Sequence, residues 1–163
     1  MDNYQTVPVS GKFSHTVLVK DSAATTLSST NRADYAIRGK SYTKAALSNA
    51  ATPTTDVVTG AAFLPVKTSK GSVFVIGLDS SGNVKACQGQ IVDLDSANAF
   101  TVAPQFPPIP DTIAPIGYMI VVAGSTASAN GWTFGSNNFT GVTGVTCTLV
   151  EVLGSLPDRP QTS

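Results

Sequence analysis

Charge is scarce in this chain. Only 12% of its 163 residues are Asp, Glu, Lys or Arg, and acids balance bases, so the formal net charge is zero. A usual domain carries about twice that share. No basic stripe is present to follow a phosphate backbone or an anionic membrane, which argues against nucleic acid and membrane partners. Histidine occurs once and cysteine twice. One imidazole and two isolated thiols cannot supply a tetrahedral zinc site from one chain, so no metal is expected. A serine or cysteine hydrolase would have to use His15 as its base, and neither a Gly-x-Ser-x-Gly elbow nor a family-type cysteine motif accompanies it; no catalytic residue is assigned. Phosphate-cradling glycine loops are missing too: Gly39-Lys40-Ser41 is a fragment of one, set in an alternating segment. No cofactor is expected. No apolar run approaches the roughly 20 residues of a spanning helix, and Met1-Asp2-Asn3-Tyr4-Gln5 has neither the basic region nor the apolar core of a signal peptide. Synthesis and folding in a cytoplasm are therefore expected, with Cys87 and Cys147 as buried thiols rather than a disulfide.

The chain is instead rich in Ser and Thr, roughly a fifth of it, and in Gly, Ala and Pro. With 42% hydrophobic residues and no net charge, much of its apolar surface is expected to be covered by sister subunits or a larger host surface.

Apolar and polar residues alternate from Tyr4 to Val19, with Phe13, His15, Val17 and Val19 in one phase, which predicts a strand. Asp21 to Asn31 is small, polar and without period, and reads as a linker or an arm ordered only on contact. Tyr35 to Tyr42 predicts a hairpin around Gly39. A helical turn is possible between Lys44 and Leu47, and Asn49 to Thr59 reads as loop. Ala61 to Val66 resumes extended structure. The clearest hairpin joins Ser72–Leu78 to Val84–Ile91 through Asp79-Ser80-Ser81-Gly82-Asn83, where Asp and Asn close the turn and Gly82 supplies positive φ. That turn role accounts for its oxygens without calcium. Asp95-Ser96-Ala97-Asn98 is a second such turn; Asp93 and Asp95 flank one residue, but Asp95 more simply opens the turn than serves as half of a glycosidase pair.

Ala103 to Asp111 is proline-dense and must lie extended, near polyproline II. It feeds the apolar run Tyr118 to Ala123, which reads as a buried strand. Phe106, Pro107, Pro108 and Ile109 on this rail are expected to face a neighbouring subunit or a capsid surface; otherwise the segment is a rigid crossing between sheets. Trp132, Phe134 and Phe139, set among Gly and Asn, are the aromatic recognition candidates, with closure of a β core as the favoured alternative. Val145, Cys147 and Leu149 alternate in a final strand. The expected architecture is all-β, an antiparallel sandwich or barrel of short strands, with an N-terminal strand and flexible arm (1–33) before a compact β domain (34–163).

The segments Tyr35 to Leu47, Val73 to Val84, Phe106-Pro107-Pro108-Ile109-Pro110-Asp111 and Leu156-Pro157-Asp158-Arg159-Pro160 resemble a group of tailed-bacteriophage virion structural proteins. The resemblance spans Asp34 to Pro160 and implies a non-enzymatic role in a phage particle, made in the bacterial host. In layout the chain is similar to capsid decoration, or cement, proteins, which commonly sit as trimers between capsomers. That implies a homotrimer on the capsid surface with the major capsid protein as partner. The alternative is a head or tail fibre module binding a host surface glycan through the aromatic cluster.

Overall fold

The computed structural model describes residues 10–161, so the first part of the strand expected from Tyr4 lies outside the described residues. Eleven strands follow in order: β1 (Gly11–Lys12), β2 (Leu18–Lys20), β3 (Thr26–Ser29), β4 (Ala33–Ile37), β5 (Lys40–Lys44), β6 (Ala50–Ala51), β7 (Lys70–Asp79), β8 (Val84–Gln88), β9 (Val92–Asp93), β10 (Ile113–Ala123) and β11 (Val145–Glu151). They form three antiparallel sheets, ordered β1-β4-β5, β2-β3-β6 and β11-β10-β7-β8, with β9 added to the start of β7. None closes into a barrel, and no helix occurs among the described residues, including at Lys44–Leu47. The all-β, sandwich-like reading holds.

The largest sheet organises the molecule. Its central strands β7 and β10 are apolar in both phases because both faces are covered, which is why they read as continuous hydrophobic runs. Phe74, Ile76, Leu78, Met119 and Val121 face one side, toward Tyr35, Ile37, Leu27 and the rings of Phe63, Trp132, Phe134 and Phe139. Val73, Val75, Tyr118 and Ile120 face the other, toward Phe106, Ile109 and Leu156. A register shift between Pro115 and Gly117 resets the phase of β10, so that Ala114 and Ile116 join Met119 and Val121 in the same core. Proline lacks the ladder donor, and a bulge is where a sheet tolerates it.

Both expected hairpins form. β4 and β5 pair through a turn in which Arg38 and Gly39 both take positive φ, the backbone that suits a two-residue hairpin. Between β7 and β8, Oδ1 of Asp79 accepts the N–H groups of Ser81 and Asn83, both at 2.9 Å, and Gly82 has φ of 75°. Asp95 closes its turn in the same way, accepting from Ala97 and Ala99.

Residues 10–31 depart from expectation. Asp21 to Asn31 is not a linker: it contains β3, whose Leu27 is fully buried, and the Asp21 carboxylate closes the β2–β3 turn by accepting from Thr26 and Ser28 hydroxyls. Side-chain to side-chain closure of this kind is invisible to a periodicity test. Residues on both sides of the expected boundary at 33/34 share one sheet, since Gly11 pairs with Ala36 and Lys12 with Tyr35. His15 lies between β1 and β2 rather than in a strand. The burial phase is also inverted. Lys12, Thr16 and Leu18 point inward, while Phe13, Val17 and Val19 are exposed.

Candidate interaction surfaces

The aromatic candidates belong to the core. Trp132, Phe134 and Phe139 are each at most 2% exposed. Phe134 stacks on Phe74 at 4.9 Å between ring centroids, Phe63 meets Phe134 edge-on at 5.2 Å, and the Trp132 indole N–H donates to the Asn138 carbonyl at 2.9 Å. Val66 and Trp132 form a backbone bridge that holds the cluster over β7. A sugar cannot reach these faces, so the recognition reading of Trp132, Phe134 and Phe139 is replaced by core closure. Glycine and asparagine surround the rings because the chain turns tightly there: Gly131 and Gly135 both have positive φ, and Asn137 accepts the Thr133 N–H at 2.7 Å.

The proline rail crosses its own sheet. Phe106 packs edge-on against Tyr118 at 5.0 Å, and Phe106 and Ile109 both join the core side formed by Val73, Val75 and Ile120. Pro107 is buried, and only Pro108 of the four candidates is exposed. Gly89 permits the close approach, because a Cβ there would stand 2.9 Å from the Val73 carbonyl and 3.1 Å from that of Gln105. Phe106 and Ile109 thus pack against the sheet of their own chain and remain half-buried. The second proline-bearing segment, after β11, flanks the same tyrosine, whose hydroxyl accepts the Gln161 N–H at 3.1 Å.

What the rail does present is its flank. Val102 is 66% exposed beside a groove of about 280 Å³ that it lines with Gln90, Ile91 and Gln105. Gln90 and Ile91 also line a second groove of about 450 Å³ together with Leu64, which is 64% exposed. Ile91 therefore sits between two exposed aliphatic side chains, among glutamines, with Asp93 and the buried Asp56 also lining the two grooves.

A second surface lies along the outer edge of β11. Lys12 bridges to Gly154, the Thr16 and Val17 N–H groups donate to the Glu151 carboxylate at 2.6 and 3.1 Å, and the Lys20 ammonium donates to the Cys147 carbonyl. Residues 12–20 thus run antiparallel to 147–154 as a strap, attached mainly by side chains rather than by a ladder. At its centre the fully buried Lys12 ammonium bonds Glu151 and the Thr16 hydroxyl, and His15 Nδ1 stands 2.7 Å from the other Glu151 oxygen. Burial alone would raise the Glu151 pKa, but the bonds from Lys12 and Thr16 outweigh it and hold the carboxyl at about 2. Burial pushes the Lys12 ammonium below its ordinary value, against the opposing pull of Glu151. The pattern search missed this pair although a signal existed: Glu151 continues the inward phase of Val145, Cys147 and Leu149, and an acid in a buried phase calls for a buried cation.

Of the strap's outward side chains Phe13, Val17 and Val19 are apolar, while His15 between them is polar and exposed. Phe13 is 58% exposed and lies beside Leu153, 62% exposed, because the Lys12–Gly154 bridge sets those neighbours opposite each other. Val17 and Val19 continue the line.

Cys87 and Cys147 lie on β8 and β11, at opposite ends of the sheet with β7 and β10 between them. Three strand spacings of about 4.8 Å exceed the roughly 7 Å Cα limit of a disulfide. Burial pushes both thiols up to about 12. Neither is expected to react with a disulfide reagent in the native protein, and both should titrate on unfolding; a fast native reaction of either would show that its strand opens.

No family model, curated protein or solved structure matches the chain.

Proposed function

We propose that the protein is a non-enzymatic structural component of a phage virion, a decoration protein that binds the capsid surface and stiffens the shell, with copies of itself and the major capsid protein as partners. The observation that carries this reading is the surface around Ile91, where Leu64 and Val102 stand exposed among glutamines and the one exposed acid, Asp93, is paired with Lys70. Aliphatic groups among mostly neutral polar ones suit a permanent protein contact, and little of the apolar part of such binding is screened by salt. The resemblance of Asp34 to Pro160 to virion structural proteins points the same way. Mechanically, burying apolar area at about 25 cal/mol per Å² across many identical sites adds resistance to internal pressure without any chemical step.

The test uses particles of the encoding phage assembled without the protein. Added wild-type protein is expected to co-sediment with them and raise their rupture temperature, and L64D or V102D should bind at least about tenfold more weakly while melting normally. Failure of wild-type protein to bind such particles would overturn the reading.

A further inference from the structure

Residues 13–17, the middle of the strap, are held differently on their two flanks. Toward β3 and β4 they use backbone: the Phe13 N–H donates to the Asp34 carbonyl at 2.8 Å and the Asn31 N–H to the Thr16 carbonyl at 3.1 Å, between the β1–β4 and β2–β3 ladders at either end. Toward β11 they have no ladder, because β11 pairs only with β10. One carboxylate does the holding there. Glu151 accepts the Thr16 and Val17 N–H groups at 2.6 and 3.1 Å, His15 Nδ1 stands 2.7 Å from it, and the buried Lys12 ammonium fixes it from β1. Three consecutive residues thus hang on a single side chain.

The same stretch is strained. Val17 has φ of 52°, a left-handed backbone that a β-branched residue avoids because its Cβ crowds the carbonyl. Burial does not offset this, since the Val17 side chain is exposed, and its carbonyl receives only a 3.4 Å bond from Thr30. Such a conformation persists only where its surroundings over-determine it. On the β11 flank the determining group is Glu151.

We propose that residues 13–17 are a spring-loaded latch: within the folded protein they release from β11 as a unit while their bonds to Asn31 and Asp34 hold, with Glu151 as the catch and the Val17 backbone as the spring. Release lets Val17 relax to negative φ and wets the Lys12–Glu151 pair. It also bares the outer edge of β11. The Cys147 carbonyl points to that edge, toward Lys20, so strand alternation turns the Leu149 N–H and C=O the same way. The fold therefore carries a strand edge that is shut at rest and is opened without unfolding the main sheet, and moving elements are drawn from such low-stability segments. The device does not depend on what the surface around Ile91 binds.

Hydrogen exchange of the full chain, followed amide by amide by NMR, tests this. The Thr16 and Val17 amides should exchange through one shared opening, at least about a hundredfold faster than those of Val75 and Met119 in the main sheet once intrinsic rates are removed. The Phe13 and Asn31 amides, on the other flank, should stay protected at least about tenfold longer than Thr16. V17G takes positive φ without strain, so it should slow Thr16 exchange at least about threefold. E151Q should speed Thr16 exchange at least about tenfold more than it speeds that of Val75. The proposal is overturned if Thr16 exchanges only together with the main sheet, if Phe13 and Asn31 open with it, or if V17G leaves Thr16 exchanging as fast as in the wild type.

Discussion

Trp132→Ala is expected to cost about 3–5 kcal/mol of folding stability, enough to leave a domain of this size mostly unfolded or marginal. The indole is 1% exposed and touches Phe74, Phe134 and Phe139, so its removal opens a cavity between the main sheet and the loop after β10 and frees the Asn138 carbonyl from its donor. Those rings are themselves interlocked and cannot all move to refill the space. Trp132 is the chain's only tryptophan, so its fluorescence reports directly: native emission should be that of a dry, unquenchable indole and should shift to the red in a single urea transition. A loss under about 1 kcal/mol in the alanine variant, with the fold retained, would show that the ring is not part of the core. The same substitution separates two roles that sequence alone leaves open, since a recognition residue would lose binding at constant stability.

The second large effect concerns Glu151. Glu151→Gln removes the charge opposite a fully buried lysine and should destabilise by about 3–5 kcal/mol. Lys12→Met alone should cost less, because Glu151 keeps the Thr16 and Val17 N–H groups and access to solvent at its 15% exposed side chain. The double variant K12M/E151Q should recover part of the loss, since neither member is then a stranded charge, and the double-mutant cycle measures the coupling. The pH dependence has a definite sign. The folded pKa of Glu151, about 2, lies below its ordinary 4.5, so the stabilisation is fully present above the unfolded value and is lost as pH falls from about 4.5 through 2. At about 1.4 kcal/mol per unit this amounts to about 3 kcal/mol. Chemical denaturation between pH 6 and 2 should show that loss in the wild type and a flatter profile in E151Q; parallel profiles would refute the assignment.

The architecture was largely legible from local pattern. β7 and β8 announce themselves through a turn whose Asp and Asn do their own bonding, and β10 through its apolar run after the prolines. Residues 10–31 were not, for a physical reason. Alternation shows which residues share a face but not which face is inside, and the strap's inward phase is set by a carboxylate more than a hundred positions away. The phase of Phe13, Val17 and Val19 is the exposed one although it is the more apolar. The rail's composition fits a subunit contact and a crossing equally; Phe106 and Ile109 pack on Tyr118 and the sheet beneath, a long-range contact that composition does not encode. The aromatic cluster carried both meanings in sequence, and only packing separates them.

The strap also constrains how the protein is made. Lys12 and Glu151 are 139 positions apart, so although Gly11 and Lys12 can pair with β4 early, the Lys12 ammonium has no carboxylate partner until β11 appears. At about 5–20 residues per second the strap waits about 7–28 s with its buried lysine in water and Phe13 bare. β4, β5, β7 and β8 can meet meanwhile through nearer contacts. Closure of the first strand on the last is then the step that completes the molecule, and a chain cut short before Glu151 would carry its N-terminal residues unclasped, a ready mark for proteolysis.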